Sequence, residues 1–138
     1  MHIRPATRAD RARIDQVRHG VGENRLTEFD NIREEEVLWY MDFGIFLVAE
    51  DEGAIQGFAC VNPQTGYVWA LFVIDGAQGR GIGTALLDAA LALAAEAGNR
   101  QAFLTTGAGT RAEGFYASRG WRSMGPNYQG DAVYRRFL

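Results

Sequence analysis

The chain has 138 residues, 47% of them apolar, and a formal net charge of −3. All 14 basic side chains are arginine and none cluster, which argues against nucleic acid or an anionic membrane as the main partner. No apolar run approaches a membrane span, no signal peptide is expected before Ile3, and one cysteine, Cys60, excludes an internal disulfide framework. A cytoplasmic protein folding as one domain over residues 1–138 is expected.

His2-Ile3-Arg4-Pro5 reads as a short edge strand ended by proline. Thr7 with Asp10 three residues on is a helix start, and Ile14, Val17 and Val21 share one face of the helix that follows. Gly20 and Gly22 end it. Thr27 to Asp30 offers a second cap, and Ile32, Val37, Leu38 and Met41 mark a second amphipathic helix that stops at Gly44. Three strands follow: Ile45 to Glu50, then Ile55 to Asn62 after a turn at Asp51-Glu52-Gly53, then Tyr67 to Ile74 after a turn at Pro63 to Gly66. Gly57 is a candidate bulge, and Cys60 reads as a small core residue.

The run Tyr67 to Ile74 is unbroken apolar, aromatic and β-branched, the pattern of a buried strand. A loop with Gly76, Gly79, Gly81 and Gly83 leads from it into a helix from Thr84 to Ala97, closed by Gly98-Asn99. A glycine loop entering a helix N-terminus is a ready anion site: the backbone approaches closely and the first-turn N–H groups point at the ligand. The absence of lysine excludes a Walker A loop. A dinucleotide fingerprint would place its third glycine on Thr84. Gln101 to Thr106 is a strand, parallel to the Tyr67 strand because a helix connects them. Thr110 caps a helix from Arg111 to Ser118, stopped by Gly120. Trp121 to Met124 and Ala132 to Leu138 are the last strands.

Gln78-Gly79-Arg80-Gly81-Ile82-Gly83, with the strand before it, resembles the acetyl-CoA pyrophosphate loop of the GCN5-related N-acetyltransferases (GNAT). A second motif of that family, Ala, two residues, Phe-Tyr, three residues, then Gly and an aromatic, is similar to Ala112, Phe115-Tyr116, Gly120 and Trp121. The order of elements also matches. The resemblance covers nearly the whole chain and implies an α/β fold of the α+β type: a mixed central sheet of about seven strands flanked by about four helices. Two departures stand out. Gly109 occupies the position where relatives often carry an asparagine reaching the cofactor arm, and no proline follows the Tyr67 strand at Ile74-Asp75-Gly76.

The resemblance implies an acetyl-CoA-dependent N-acetyltransferase, with a primary amine attacking the thioester directly in a ternary complex and no metal. It implies a bulge in the Tyr67 strand that splays it from the Gln101 strand. Backbone groups at Leu71, Phe72 and Val73 then hold pantetheine, and those from Gln78 through Gly79, Arg80, Gly81, Ile82 and Gly83 to Thr84 cradle the pyrophosphate. Arg80 either adds charge there or is a solvated loop residue. Arg111 either pairs with a CoA phosphate or is solvated. Tyr116 is the candidate general acid for the departing thiolate, against the alternative that it packs with its hydroxyl bonded to backbone.

The base would come from the segment joining the first two helices, which in this fold lines the acceptor site. Glu23, Glu28 and Asp30 are the candidates, Glu23 beside Asn24 first, with Glu28 and Asp30 also explicable as caps. Alternation places Trp69 on the face of Tyr67, Leu71 and Val73, either lining the acceptor pocket or in plain core. His2 and His19 lack metal-ligand spacing. The last strands mediate dimers in some relatives, so a homodimer through Ala132 to Leu138 is open. The alternative functions are a non-catalytic acyl-CoA-binding module and, further off, a nucleotide-binding domain with a chance glycine loop.

Overall fold

The computed structural model describes residues 1–19, 33–77 and 79–138. Gln78, Glu23, Asn24, Glu28 and Asp30 lie outside the described residues. In chain order the elements are β1 (His2–Pro5), α1 (Arg11–His19), α2 (Glu34–Phe43), β2 (Ile45–Asp51), β3 (Ala54–Val61), β4 (Val68–Val73), α3 (Ile82–Glu96), β5 (Gln101–Thr106), α4 (Arg111–Ala117), β6 (Arg122–Pro126) and β7 (Ala132–Phe137). Among the described residues, no helix is long and apolar enough to cross a membrane.

The strands form two antiparallel sheets, ordered β1-β2-β3-β4 and β5-β7-β6. The sheets meet at one end of β4, where Tyr67 and Phe103 bridge in the parallel sense. The Phe103 N–H donates to the Gly66 carbonyl there at 3.1 Å. Among the described residues β4 and β5 pair nowhere further along. The seven strands of the expected mixed sheet are thus present as two sheets that meet at a point and then splay, and the parallel relation expected from the α3 crossover holds at that hinge.

Two apolar layers sandwich the four-stranded sheet. Leu47, Ala49, Ala59, Leu71 and Val73 pack against Leu86, Leu87, Ala90 and Leu91 of α3. Phe46, Val48, Phe58 and Phe72 face the other way, against Ile14 and Val17 of α1 and Val37 and Tyr40 of α2. Burial on both faces explains why β3 and β4 read as continuous apolar runs.

Two bulges set the register. Ala49 pairs with Gly57 but Glu50 with Ile55, so Gln56 is the extra residue, one position from the expected site at Gly57. Cys60 pairs with Ala70 but Val61 with Val68, so Trp69 is extra in β4. The second bulge overturns the expected alternation. Trp69 does not share a face with Leu71 and Val73; it lies with Ala70 and Phe72 in the α1–α2 layer, stacked on Tyr40 with ring centroids 4.4 Å apart.

Some boundaries also differ. Gly81, at φ +76, caps α3, so the helix begins at Ile82 and not at Thr84. Its far end is a Schellman turn: Gly98 N–H bonds Ala95 O at 3.0 Å and Asn99 N–H bonds Ala94 O at 3.1 Å. β6 starts after Trp121, whose ring is buried. β7 lies between β5 and β6 and is paired on both sides, so it offers no open edge for a dimer. The N-terminus is tied down by Arg4, which donates to both Asp10 carboxylate oxygens at 2.8 and 2.9 Å and also to Glu50. The Thr7 N–H donates to Asp10 at 2.7 Å, the cap expected at that helix start.

Candidate active site

A cavity of about 360 Å³ lies where the two sheets diverge. One wall is the glycine loop and the first turn of α3: Gly79, Gly81, Ile82, Gly83 and Thr84. The other is α4, presenting Arg111, Gly114 and Phe115, with Ser118 and Arg119 just beyond its end; Val73 of β4 also lines the cavity. Arg111, Gly114, Phe115 and Ser118 have helical spacing, that of one helix face. Gly114, Phe115, Ser118 and Arg119 are not among the site residues expected from sequence, although that periodicity in the second motif was there to be read.

The first wall is built by backbone conformation. Gly79 and Gly81 have φ of +80 and +76, which side chains with a Cβ rarely adopt, and a Cβ at either would meet nothing within 4 Å. The turn at Gly81 aims the start of α3 into the cavity. The first intrahelical bond runs from Ala85 N–H to Gly81 O at 3.0 Å, so the N–H groups of Ile82, Gly83 and Thr84 precede it. Unpaired first-turn N–H groups of this kind are the donors that an anion at a helix N-terminus accepts from.

Arg80 does not line the cavity. Its Nη1 lies 3.4 Å from Glu52 and 3.8 Å from Asp51, on the β2–β3 turn. Arg111 is exposed and lines the cavity at the first position of α4. Gly109, at φ +75, gives its N–H to Glu113 Oε2 at 2.6 Å, and Tyr134 donates its hydroxyl to Glu113 Oε1 at 2.8 Å. The Gly109 N–H, followed by the Tyr134 hydroxyl, lowers the Glu113 carboxyl from its ordinary value. Glu113 thus locks the start of α4 to β7.

Tyr116 is fully buried behind the cavity wall. Ala112 and Tyr116 lie four residues apart on the inner face of α4, in one core layer with Leu71, Val73 and Leu104. Its ring meets Trp121 edge-on at 5.5 Å and lies 6.3 Å from that of Tyr134. Among the described residues its hydroxyl has no hydrogen-bond partner, so the alternative in which it bonds backbone is not found there. Burial pushes the phenol well above its ordinary value, so it stays protonated.

Leu71, Phe72 and Val73 pair with Ala59, Phe58 and Gly57 of β3, on the side of β4 away from β5. Gly57 permits that approach: a Cβ there would lie 2.5 Å from the Phe72 carbonyl oxygen. Cys60 is buried and its thiol is pushed up by desolvation, in keeping with a core role.

Two sheets diverging from one bridge, with a glycine-capped helix N-terminus in the gap, define the N-acyltransferase class of fold. Residues 14–121 match the model of the acetyltransferase (GNAT) family, and the chain belongs to that family. The fold is similar to a GNAT-family acetyltransferase from Staphylococcus aureus Mu50 (TM-score 0.78, 19% identity, 99% of this chain and 98% of that one). It is similar also to a ribosomal-protein-alanine N-acetyltransferase from Brucella melitensis (TM-score 0.79, 23% identity, 100% of both chains). A third similar structure is the PaiA N-acetyltransferase from Thermoplasma acidophilum in complex with coenzyme A (TM-score 0.79, 15% identity, 99% and 98%). No curated protein matches the sequence.

Proposed function

We propose that the chain is an acetyl-CoA-dependent N-acetyltransferase acting on a primary amine by direct transfer. The observation that carries this reading is the cavity itself: a helix N-terminus suited to a diphosphate faces the helix that carries a buried, unpartnered tyrosine hydroxyl. Both features fit the cofactor. The glycine wall leaves room for phosphate oxygens against backbone N–H groups, and Gly114 leaves open space in the middle of α4, where a Cβ would meet nothing within 4 Å.

Acetyl-CoA supplies the activated acetyl thioester. Ile82, Gly83 and Thr84 bind the pyrophosphate through their N–H groups, and Leu71 to Val73 hold the pantetheine arm along β4. The Tyr116 hydroxyl donates its proton to the sulfur as it leaves. Glu23 takes a proton from the substrate ammonium, and the amine so freed attacks the thioester; Asn24, Glu28 and Trp69 border the acceptor in this reading.

The test is thermal unfolding with acetyl-CoA, CoA, ATP and NAD in parallel. A ligand at a hundred times its Kd adds about 2.7 kcal/mol of stability. A shift with acetyl-CoA and CoA alone supports the reading and leads to an amine panel. No shift with either, or a shift with ATP or NAD alone, overturns it. A non-catalytic acyl-CoA-binding module would give the same shift without transfer to any amine.

A further inference from the structure

Arg119 is held entirely by neutral groups. Its Nε donates to Thr84 Oγ1 at 2.8 Å, and its Nη1 donates to the Phe115 carbonyl at 2.9 Å and to Ser118 Oγ at 3.0 Å. The guanidinium lies 3.9 Å from the Phe115 ring centroid. Among the described residues no carboxylate pairs with it, and Nη2 makes no hydrogen bond. The contrast is Arg80, within the glycine loop, whose charge is taken by Asp51 and Glu52.

A cation without a counter-ion, fixed at a cavity wall beside the first turn of a helix, is arranged for an anion. Thr84 is the third residue of α3, in the turn whose N–H groups face the cavity. Arg119 thus adds a fixed, forked positive charge to the anion-binding end of α3, which backbone N–H groups alone provide as partial charges. Its bond to the Phe115 carbonyl ties the same guanidinium to the helix turn that carries Tyr116.

We infer that Arg119 is the cationic ligand of the cofactor's pyrophosphate in this chain, and that Arg80 is not. The inference rests on the acyl-CoA reading above. It commits to the diphosphate and not to the ribose 3′-phosphate, because the guanidinium is bonded within the helix turn that meets the diphosphate.

Calorimetric titration of CoA and of dephospho-CoA, which lacks the 3′-phosphate, into wild type, Arg119→Gln, Arg119→Lys and Arg80→Gln tests it, with circular dichroism and melting as a check of folding. Glutamine can still donate to Thr84 or Phe115 but carries no charge. The expected result is that Arg119→Gln weakens both ligands equally, by about tenfold to a hundredfold, the range of a charge-assisted hydrogen bond. Lysine recovers part of that loss, and Arg80→Gln stays within about twofold of wild type, as for an exposed ion pair.

Four results would overturn the inference: an unchanged Arg119→Gln, a loss confined to CoA, a lysine variant as weak as glutamine, or an equal loss from Arg80→Gln. Should the glutamine variant not fold, Arg119→Met takes its place: an equal loss for both ligands supports the inference, and unchanged binding or a loss confined to CoA opposes it. A wild type that binds neither ligand overturns the acyl-CoA reading itself, whereas normal wild-type binding with an unchanged Arg119→Gln removes only this inference.

Discussion

A buried hydroxyl without a partner is an unfavourable arrangement, and among the described residues the buried Tyr116 hydroxyl has none. Phenylalanine would fill the same space and remove the unpaired group. Tyr116→Phe should therefore leave stability unchanged or raise it by up to about 1 kcal/mol in urea denaturation. Turnover should fall by about a hundredfold or more, the usual contribution of a general acid, with CoA affinity unchanged in a binding titration. Stability and activity would then move in opposite directions at one residue. Normal turnover would take Tyr116 out of the mechanism. At this scale the sequence was legible where a short motif places a residue on a helix face, as with Ala112 and Tyr116. It was not legible where one inserted residue changes a face. Strict alternation put Trp69 beside Leu71, and the bulge turned it to Tyr40. Nor could spacing reveal that Arg80 pairs with a turn some thirty positions earlier, or that Arg119 reaches Thr84.

The elements were legible because each carries its own signal: glycines at turns, apolar runs in strands buried on both faces, threonine and aspartate at helix starts. What the local pattern could not give is how closely elements approach. Gly66 and Gly53 look alike in sequence, both glycines in turns before a strand, with φ of +79 and +80. A Cβ on Gly53 would meet nothing within 4 Å, whereas one on Gly66 would lie 2.3 Å from the Gln101 carbonyl oxygen, at the hinge between the sheets. Gly53→Ala should cost about 1–2 kcal/mol, the backbone penalty alone. Gly66→Ala should cost clearly more, because β5 must also move, and urea midpoints of the two variants measure the difference. Equal costs would mean that the hinge yields freely.

Gly114 separates helix stability from ligand fit in the same way. It lies inside α4, where glycine is disfavoured by roughly 1 kcal/mol relative to alanine, yet it faces the cavity with no neighbour to crowd it. Gly114→Leu should raise the melting temperature of the free protein and abolish the stabilisation by acetyl-CoA. Retention of that stabilisation would move the cofactor off the α4 wall.

For the whole molecule, groups whose proton affinity folding changes set the dependence of stability on pH. On the acid side, Arg4 followed by the Thr7 N–H holds Asp10 at about 2, and Glu113 is also lowered, by the Gly109 N–H and the Tyr134 hydroxyl. Both are depressed on folding, so the stability they contribute is present above roughly pH 4, the ordinary carboxylate range, and is lost as pH falls toward 2. On the alkaline side, burial raises Tyr40, Tyr116 and Tyr134, the last also through Glu113. These keep their protons in the folded state while the unfolded chain releases them near pH 10. Stability should thus be nearly flat from about pH 5 to 8. It begins to fall as the unfolded chain's Cys60 thiol ionises at about 8.5 while burial keeps the folded thiol protonated. It falls further above about pH 10, where Tyr40 and Tyr116 each add up to about 1.4 kcal/mol per pH unit to the slope. Tyr116→Phe removes one of the three, so its urea-derived stability should decline less steeply above pH 10 than that of wild type. Parallel declines would mean that the Tyr116 hydroxyl reaches water when the protein breathes, and that the wall between it and the cavity opens without ligand.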